Sequence, residues 1–295
     1  MHRKISIITP TLNQGKFIER SIRSVLNQNY PNLEYIIIDG GSTDDTLSII
    51  KKYQKHITYW VSENDSGQSN AINKGINKAS GEVINWLNSD DFLEEGALHK
   101  VNECFKNNSI NVVAGYSTYI TDQGKVMPGM RFRTYIDKSN ILSTLANTSL
   151  NQPSTFFKKP VFEKITPLPE EYHYNMDLIM WLRYLCLFGM DQIQLIDQDL
   201  SVVTYHKNAK TVKDFEKTFP EKKRAYEALF NSFFETKTDL QFAITAVPKS
   251  KITLNKLKRY YFRYRIFKRN LADKRFGFSL NNLENYIIYY IKTLF

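Results

Sequence analysis

Two adjacent carboxylates, Asp90 and Asp91, close the segment Trp86-Leu87-Asn88-Ser89-Asp90-Asp91-Phe92, at the end of an apolar run that begins at Val83. If that run is a buried strand, its C-terminal edge is where open α/β sheets bind ligands, and two acids there must face a cation or a donor-rich ligand. Metal and phosphate chemistry follows. A further acid, Asp39, ends a second apolar run, Tyr35-Ile36-Ile37-Ile38, and leads into Gly40-Gly41-Ser42-Thr43-Asp44, which suits a tight turn before a helix. Two acidic strand ends in one sheet point to a nucleotide site. Asp39 can accept hydrogen bonds from a base or ribose, and Asp90 can hold a divalent ion on a diphosphate.

The elements that must position these acids alternate along the first half of the chain. Ile5 to Thr9 reads as a strand ended by Pro10, and Ile18, Ile22, Val25 and Leu26 recur at helical spacing until Tyr30-Pro31-Asn32 stops them. Tyr35 to Ile38 is the second strand; Ser42 or Thr43 is expected to cap a helix carrying Leu47, Ile50 and Tyr53, and Ile57 to Val61 is the third strand. Ser66 or Ser69 is expected to open a helix with Ile72, Gly75, Ile76 and Ala79 on one face, after which Val83 to Leu87 is the fourth strand. Such alternation with short connections predicts an α/β fold: a mostly parallel sheet sandwiched by helices in right-handed crossovers.

The middle of the chain is less regular. A helix is expected around Leu98, Val101 and Phe105, a strand from Val112 to Tyr119, a turn at Gln123-Gly124 and a short strand from Ser154 to Phe157. Leu178, Trp181, Leu182 and Leu185 mark an apolar helix with Asp177 at its start and Gly189 at its end. Gln192 to Ile196 and Leu200 to Tyr205 read as two late strands, and beyond about Phe215 the pattern turns helical and polar.

A chain of 295 residues with 42% hydrophobic content can bury one large core and carry an appendage. Met1 to Lys4 runs straight into Ile5-Ser6-Ile7-Ile8, too short an apolar stretch for a secretory signal or a membrane span, so a cytoplasmic location is expected. Cys104 and Cys186 sit at apolar helical positions and read as buried thiols rather than a disulfide or metal ligands. The net charge of +10 is concentrated at one end: residues 251–295 hold eleven Lys and Arg against Asp273 and Glu284, a local +9. That basic, Tyr-rich amphipathic tail fits an anionic membrane surface, and equally fits packing on the rest of the protein with its charges solvated. Nothing beyond charge supports a nucleic-acid module.

The common nucleotide signatures are missing. No Gly-rich fingerprint follows the first strand and no phosphate loop with Lys and Ser/Thr occurs, which argues against a dinucleotide oxidoreductase or a phosphate-loop ATPase. Taken together, Ile5 to Thr11, Asp39-Gly40-Gly41-Ser42-Thr43-Asp44, Glu63-Asn64-Asp65-Ser66-Gly67-Gln68 with Asn73-Lys74-Gly75, and Leu87-Asn88-Ser89-Asp90-Asp91 resemble the family 2 glycosyltransferases of the GT-A fold over roughly residues 5 to 206. The resemblance implies a GT-A catalytic domain at 1–215 and a basic helical C-terminal region at 216–295. It implies a non-processive, inverting enzyme, since the membrane spans and Gln-x-x-Arg-Trp element of processive synthases are not found. The reaction implied is transfer of one sugar from a nucleotide-diphosphate donor, a UDP-sugar by preference, to a saccharide or lipid-linked saccharide hydroxyl, in bacterial surface polysaccharide synthesis. Peripheral attachment to the inner face of the cytoplasmic membrane would fit such an acceptor.

Residue by residue, the resemblance implies that Thr9, Pro10, Thr11, Asp39, Asp65, Lys74, Asn88 and Ser89 form the nucleotide pocket. Asp90, with Asp91 and His206, would hold Mn or Mg. Asn88 departs from the family pattern, which has an acid there; a nucleotide-sugar binding protein without catalysis is the alternative this residue raises. A nucleoside diphosphate leaves as an anion and needs no general acid, whereas the acceptor hydroxyl gains from a carboxylate base. Asp177, in Asn175-Met176-Asp177-Leu178-Ile179-Met180-Trp181-Leu182-Arg183, resembles the family's base; its other reading is a helix N-cap.

Overall fold

The computed structural model describes residues 2–138, 144, 149–214, 216–218, 220–222 and 224–225. The chain runs β1 (Ile5–Thr11), α1 (Ile18–Leu26), β2 (Leu33–Asp39), α2 (Thr46–Tyr53), β3 (Tyr59–Ser62), α3 (Gln68–Lys78), β4 (Val83–Trp86), β5 (Phe92–Leu93) and α4 (Ala97–Phe105). It continues with β6 (Val112–Thr121), β7 (Val126–Arg133), β8 (Thr155–Lys158), α5 (Lys159–Ile165), α6 (Met176–Phe188), β9 (Ile193–Tyr205) and a short α7 (Lys210–Lys213).

One sheet holds all the strands, in the order β3-β2-β1-β4-β8-β6-β9-β5, with β7 paired to β6. The first four strands are parallel to one another. The other half is mixed: β8 runs antiparallel to β4 and β6, while β6 and β9 are parallel. Residues alternate between two buried layers, because successive side chains on a strand point to opposite faces. Ile5, Ile7, Tyr35 and Ile37 pack with α1, α2 and α4, while Ile8, Ile36, Ile38 and Ile84 pack with α3, α5 and α6. With both faces covered, the central strands read as continuous apolar runs.

Several details differ from the expectations, among them the opening of α3, where Gly67 rather than Ser66 or Ser69 holds the N-cap position. Pro10 lies inside β1 rather than ending it, for a geometric reason. Ile8 O accepts the Leu87 N–H on the β4 side and Thr11 O accepts the Gly40 N–H on the β2 side. Position 10 therefore faces the β4 side, where the missing N–H ends the β1–β4 ladder after the pair Ile8 and Trp86, while pairing with β2 runs on to Thr11. The turn before α2 is held by Asp44, whose Oδ1 accepts the Thr46 N–H at 3.0 Å, rather than by a Ser42 or Thr43 cap. The two late strands are one, β9, bent where the register against β6 jumps from Ala114–Leu195 to Tyr116–Asp199. Cys186 is buried and Cys104 half-buried, and neither is in a disulfide. No helix among the described residues is long and apolar enough to cross a membrane. The basic segment 251–295 lies outside the described residues.

Candidate active site

The strand order reverses between β1 and β4: the chain steps outward from β1 to β2 and β3, then returns to place β4 on the other side of β1. Crevices at such reversals, beyond the C-terminal ends of parallel strands, are where open α/β sheets take ligands. A cavity of about 550 Å³ opens there. Pro10, Thr11, Asp65, Gln68 and the Asn88–Asp91 loop form one side; Tyr119, Asn151, Gln152 and Thr204 form another; His173, Tyr174, Asp177 and Lys210 lie over it.

The acidic loop is braced from three directions. Asp91 is 5% exposed, and its Oδ1 accepts the Thr204 N–H at 3.1 Å. Burial, with Asp90 beside it, pushes the Asp91 carboxyl well above the usual carboxylate range, and Arg20 pulls it back. Arg20, on α1, stacks 4.3 Å from the Phe92 ring centroid and donates to Thr204 Oγ1. Asn88 Oδ1 accepts from Gln68 Nε2 at 2.9 Å. Asp90 remains the open carboxylate: its Oδ2 lies 3.0 Å from His206 Nε2, and His206 is buried behind it against Phe17.

This pair fits a divalent cation. The 3.0 Å separation is that of a hydrogen bond, and a carboxylate oxygen and an imidazole nitrogen this close could both turn to a divalent cation. A carboxylate oxygen with an imidazole nitrogen suits a borderline divalent metal. Among the described residues no group of three or more His, Cys, Asp or Glu is arranged to hold a metal, so the remaining positions would fall to phosphate oxygens and water. Asp91, expected as a further ligand, also lines the cavity, with its Oδ1 accepting the Thr204 amide.

The expected nucleotide residues divide into two groups. Pro10, Thr11, Asp65, Asn88 and Ser89 line the cavity; Thr9, Asp39 and Lys74 do not. Thr9 is fully buried with its Oγ1 3.2 Å from the Tyr35 hydroxyl, and Lys74 pairs with Glu63 at 2.7 Å. Asp39 is buried and turned into its own loop, accepting from the amides of Gly41 and Ser42 and from the hydroxyls of Ser42 and Ser62. Gly41 has φ +86°, a left-handed conformation that glycine adopts without cost, and this lets the turn fold back on the carboxylate. The turn is then fastened to the loop after β1, where Asn13 Oδ1 accepts the Thr43 N–H and Asp44 Oδ2 accepts the Gly15 N–H. Asp39 thus shapes the wall that Thr11 and Asp65 present.

Asp177 occupies the first turn of α6 and faces the cavity. Its Oδ1 accepts the Leu178 N–H, a first-turn amide of the helix, at 2.8 Å. Burial raises its pKa above the ordinary 3.8, while the Leu178 amide, Lys222 and Lys210 oppose the rise. Burial also lowers the pKa of both lysines. A carboxylate that holds a proton more readily than in water is suited to general-base work.

Several wall residues carried no signal in the sequence. Asn151 and Gln152 sit on a loop held by a buried hydroxyl cluster: Ser117, Ser154 and Ser201 approach one another within 2.9 Å, and Asn151 joins them through Ser117. Gln152 Nε2 donates to Trp86 O, tying that loop to the end of β4. These contacts join strands distant in sequence. Arg20 has the helix spacing of an ordinary surface residue, and nothing local distinguishes it.

A parallel half-sheet with an acidic loop at its reversal point, closed by a mixed half that supplies the second wall, is the architecture of GT-A glycosyltransferases. TarS 1–349 of S. aureus in complex with UDP-GlcNAc superposes with a TM-score of 0.62 at 17% identity, over 94% of this chain and 95% of that one. The mannosyltransferase PcManGT of Pyrobaculum calidifontis, in complex with GDP-Man and Mn²⁺, gives 0.56 at 15%, over 100% of this chain and 81% of that one. The chain belongs to glycosyl transferase family 2, whose model matches residues 6–166, and it is a glycosyltransferase. An uncharacterized glycosyltransferase of Rickettsia typhi is 28% identical over 243 residues, 79% of this chain and 72% of that protein. The poly(ribitol-phosphate) β-N-acetylglucosaminyltransferase TarP of Staphylococcus aureus is 32% identical over 168 residues, 55% of this chain and 51% of TarP, so the match spans about half of that relative.

Proposed function

We propose that this glycosyltransferase moves one sugar from a UDP-sugar to a hydroxyl of a saccharide acceptor with inversion, in the synthesis of a bacterial surface polysaccharide. The observation that carries the reading is one cavity bearing both the open Asp90 carboxylate, backed by His206, and the half-buried carboxylate of Asp177. A UDP donor fits the likeness to a structure holding UDP-GlcNAc, and a surface-polymer acceptor fits the likeness to TarP.

In this reading Pro10, Thr11 and Asp65 receive the nucleoside, and Asp39 holds the turn that sets their wall. Asp90 and His206 would hold the divalent cation, which when bound neutralises charge on the diphosphate. Gln68 fixes the Asn88 amide beside them. The acceptor hydroxyl gives its proton to Asp177 as its oxygen bonds the anomeric carbon, and the bond from that carbon to the diphosphate oxygen breaks on the opposite face. The diphosphate leaves with the electron pair, so no acid is needed.

A donor screen tests the reading. UDP-sugars with Mn or Mg should raise the melting temperature, since a ligand that binds only the folded state stabilises it, and one of them should be hydrolysed slowly or transferred. Stabilisation by UDP-sugars with no turnover on any acceptor would favour a binding protein instead.

A further inference from the structure

After β9 the chain does not leave the active site. His206 meets Asp90, Asn208 and Lys210 line the cavity, and the segment then crosses the loop that precedes α6. There Glu221 grips three consecutive amides: its Oε1 accepts the His173 N–H at 2.8 Å, and its Oε2 accepts those of Tyr174 at 2.7 Å and Asn175 at 3.1 Å. The flanking contacts agree, with Asn175 Nδ2 donating to Thr218 O at 2.8 Å and Arg224 donating to Glu171 O at 2.9 Å while lying over the Tyr172 ring. Ala225 is buried in the same core cluster as α6, beyond the domain limit at 215 expected from the sequence.

We propose that Glu221 is a positioning residue that sets the placement of Asp177 toward the acceptor. The proposal rests on Asp177 as the base. Asn175 stands at the helix N-cap position, yet its side chain makes no cap bond and turns to Thr218 instead. The carboxylate of Glu221 does not cap the first turn but holds the three amides that lead into it through charge-assisted bonds, at the positive end of the helix dipole. Among the described residues no other acceptor reaches those three amides. The earlier part of the loop is fixed independently, where Glu170 accepts from Ser66 and Asn70 on the α3 side. Glu221 therefore governs the last two residues before Met176-Asp177. A shift of about 1 Å in a reacting group can cost on the order of 100-fold in rate, so a lost grip falls on turnover more than on the nucleoside side of the cavity, which Pro10, Thr11 and Asp65 form.

The test compares Glu221→Ala, Glu221→Gln, Asp177→Asn and the Glu221→Ala/Asp177→Asn double variant in the full chain, with donor and acceptor kinetics. Glu221→Ala should lower kcat about 10- to 100-fold with the donor KM within about twofold of wild type, and Glu221→Gln, which keeps one acceptor oxygen, should lose less. The double variant should be no slower than Asp177→Asn alone, because both act through one group. Wild-type kcat in Glu221→Ala, or a kcat loss matched by an equal rise in donor KM, would overturn the proposal. If Glu221→Ala does not fold, wild-type kcat in Glu221→Gln overturns it equally. Full turnover in Asp177→Asn would instead remove the base reading itself, a result separate from an active Glu221→Ala beside an inactive Asp177→Asn.

Discussion

His206 Nε2 and Asp90 Oδ2 lie 3.0 Å apart although 116 residues separate them in the chain, because β9 delivers one to the loop that β4 delivers for the other. If both hold the cation, His206→Ala should raise the Mn concentration for half-maximal transfer at least about tenfold, and because His206 is buried against Phe17 it should also lower the melting temperature of the metal-free protein. A metal titration of activity beside thermal denaturation checks this, and an unchanged half-saturation point would remove His206 from the metal site.

Asp177→Asn should slow transfer by about 10²- to 10⁴-fold, the range of a lost general base, while the thermal stabilisation given by a UDP-sugar is retained. A mutant with wild-type turnover would exclude Asp177 from proton transfer.

The pH dependence of kcat follows from the same carboxylate. The base works unprotonated, so kcat should rise with pH through an acid limb whose midpoint lies above 3.8, the ordinary value that burial raises. Lys222 opposes that rise, so Lys222→Met should move the limb to higher pH. Rate profiles for both proteins decide it; a limb that stays in place or moves to lower pH contradicts the assignment.

A Cβ added at Gly40 would stand 2.6 Å from Asp65 Oδ2. Overpacking of this kind costs about 1–3 kcal/mol, and here it displaces a cavity-wall carboxylate. Gly40→Ala should therefore raise the donor KM by about tenfold with a smaller effect on kcat. Equal donor KM values for mutant and wild type would separate Asp65 from donor binding.

At the opposite end of the sheet, Glu34 is 5% exposed and accepts from Ser6 Oγ, the Ser80 amide and hydroxyl, and Lys4. Burial opposes ionisation, yet these donors hold its pKa at about 2 against an ordinary 4.5. A depressed carboxylate stabilises the fold above its unfolded value, and the gain disappears as pH falls toward the folded one. The wild type should thus lose about 3 kcal/mol between pH 5 and pH 2, a loss that Glu34→Gln, already less stable at pH 7, does not repeat. Urea denaturation at several pH values measures it.

The sequence by itself determined the alternating half of the fold and the position of its ligand edge. Short-range patterns encode both: apolar runs such as Tyr35 to Ile38 must be buried on two faces, and acids at strand ends such as Asp90 must stand at the sheet's C-terminal edge. It also supplied the motifs whose resemblance names the family. Side-chain direction was decided by the tertiary structure alone. Asp39 and Asp91 look equivalent to Asp90 in the sequence, yet the turn amides claim the first and the Thr204 amide the second, because each carboxylate pairs with whatever donors packing brings near. The second wall of the cavity is likewise a product of packing: Tyr119, Asn151, Gln152 and Thr204 come from segments that meet only when β6, β8 and β9 join the parallel half, and no local spacing records such a meeting.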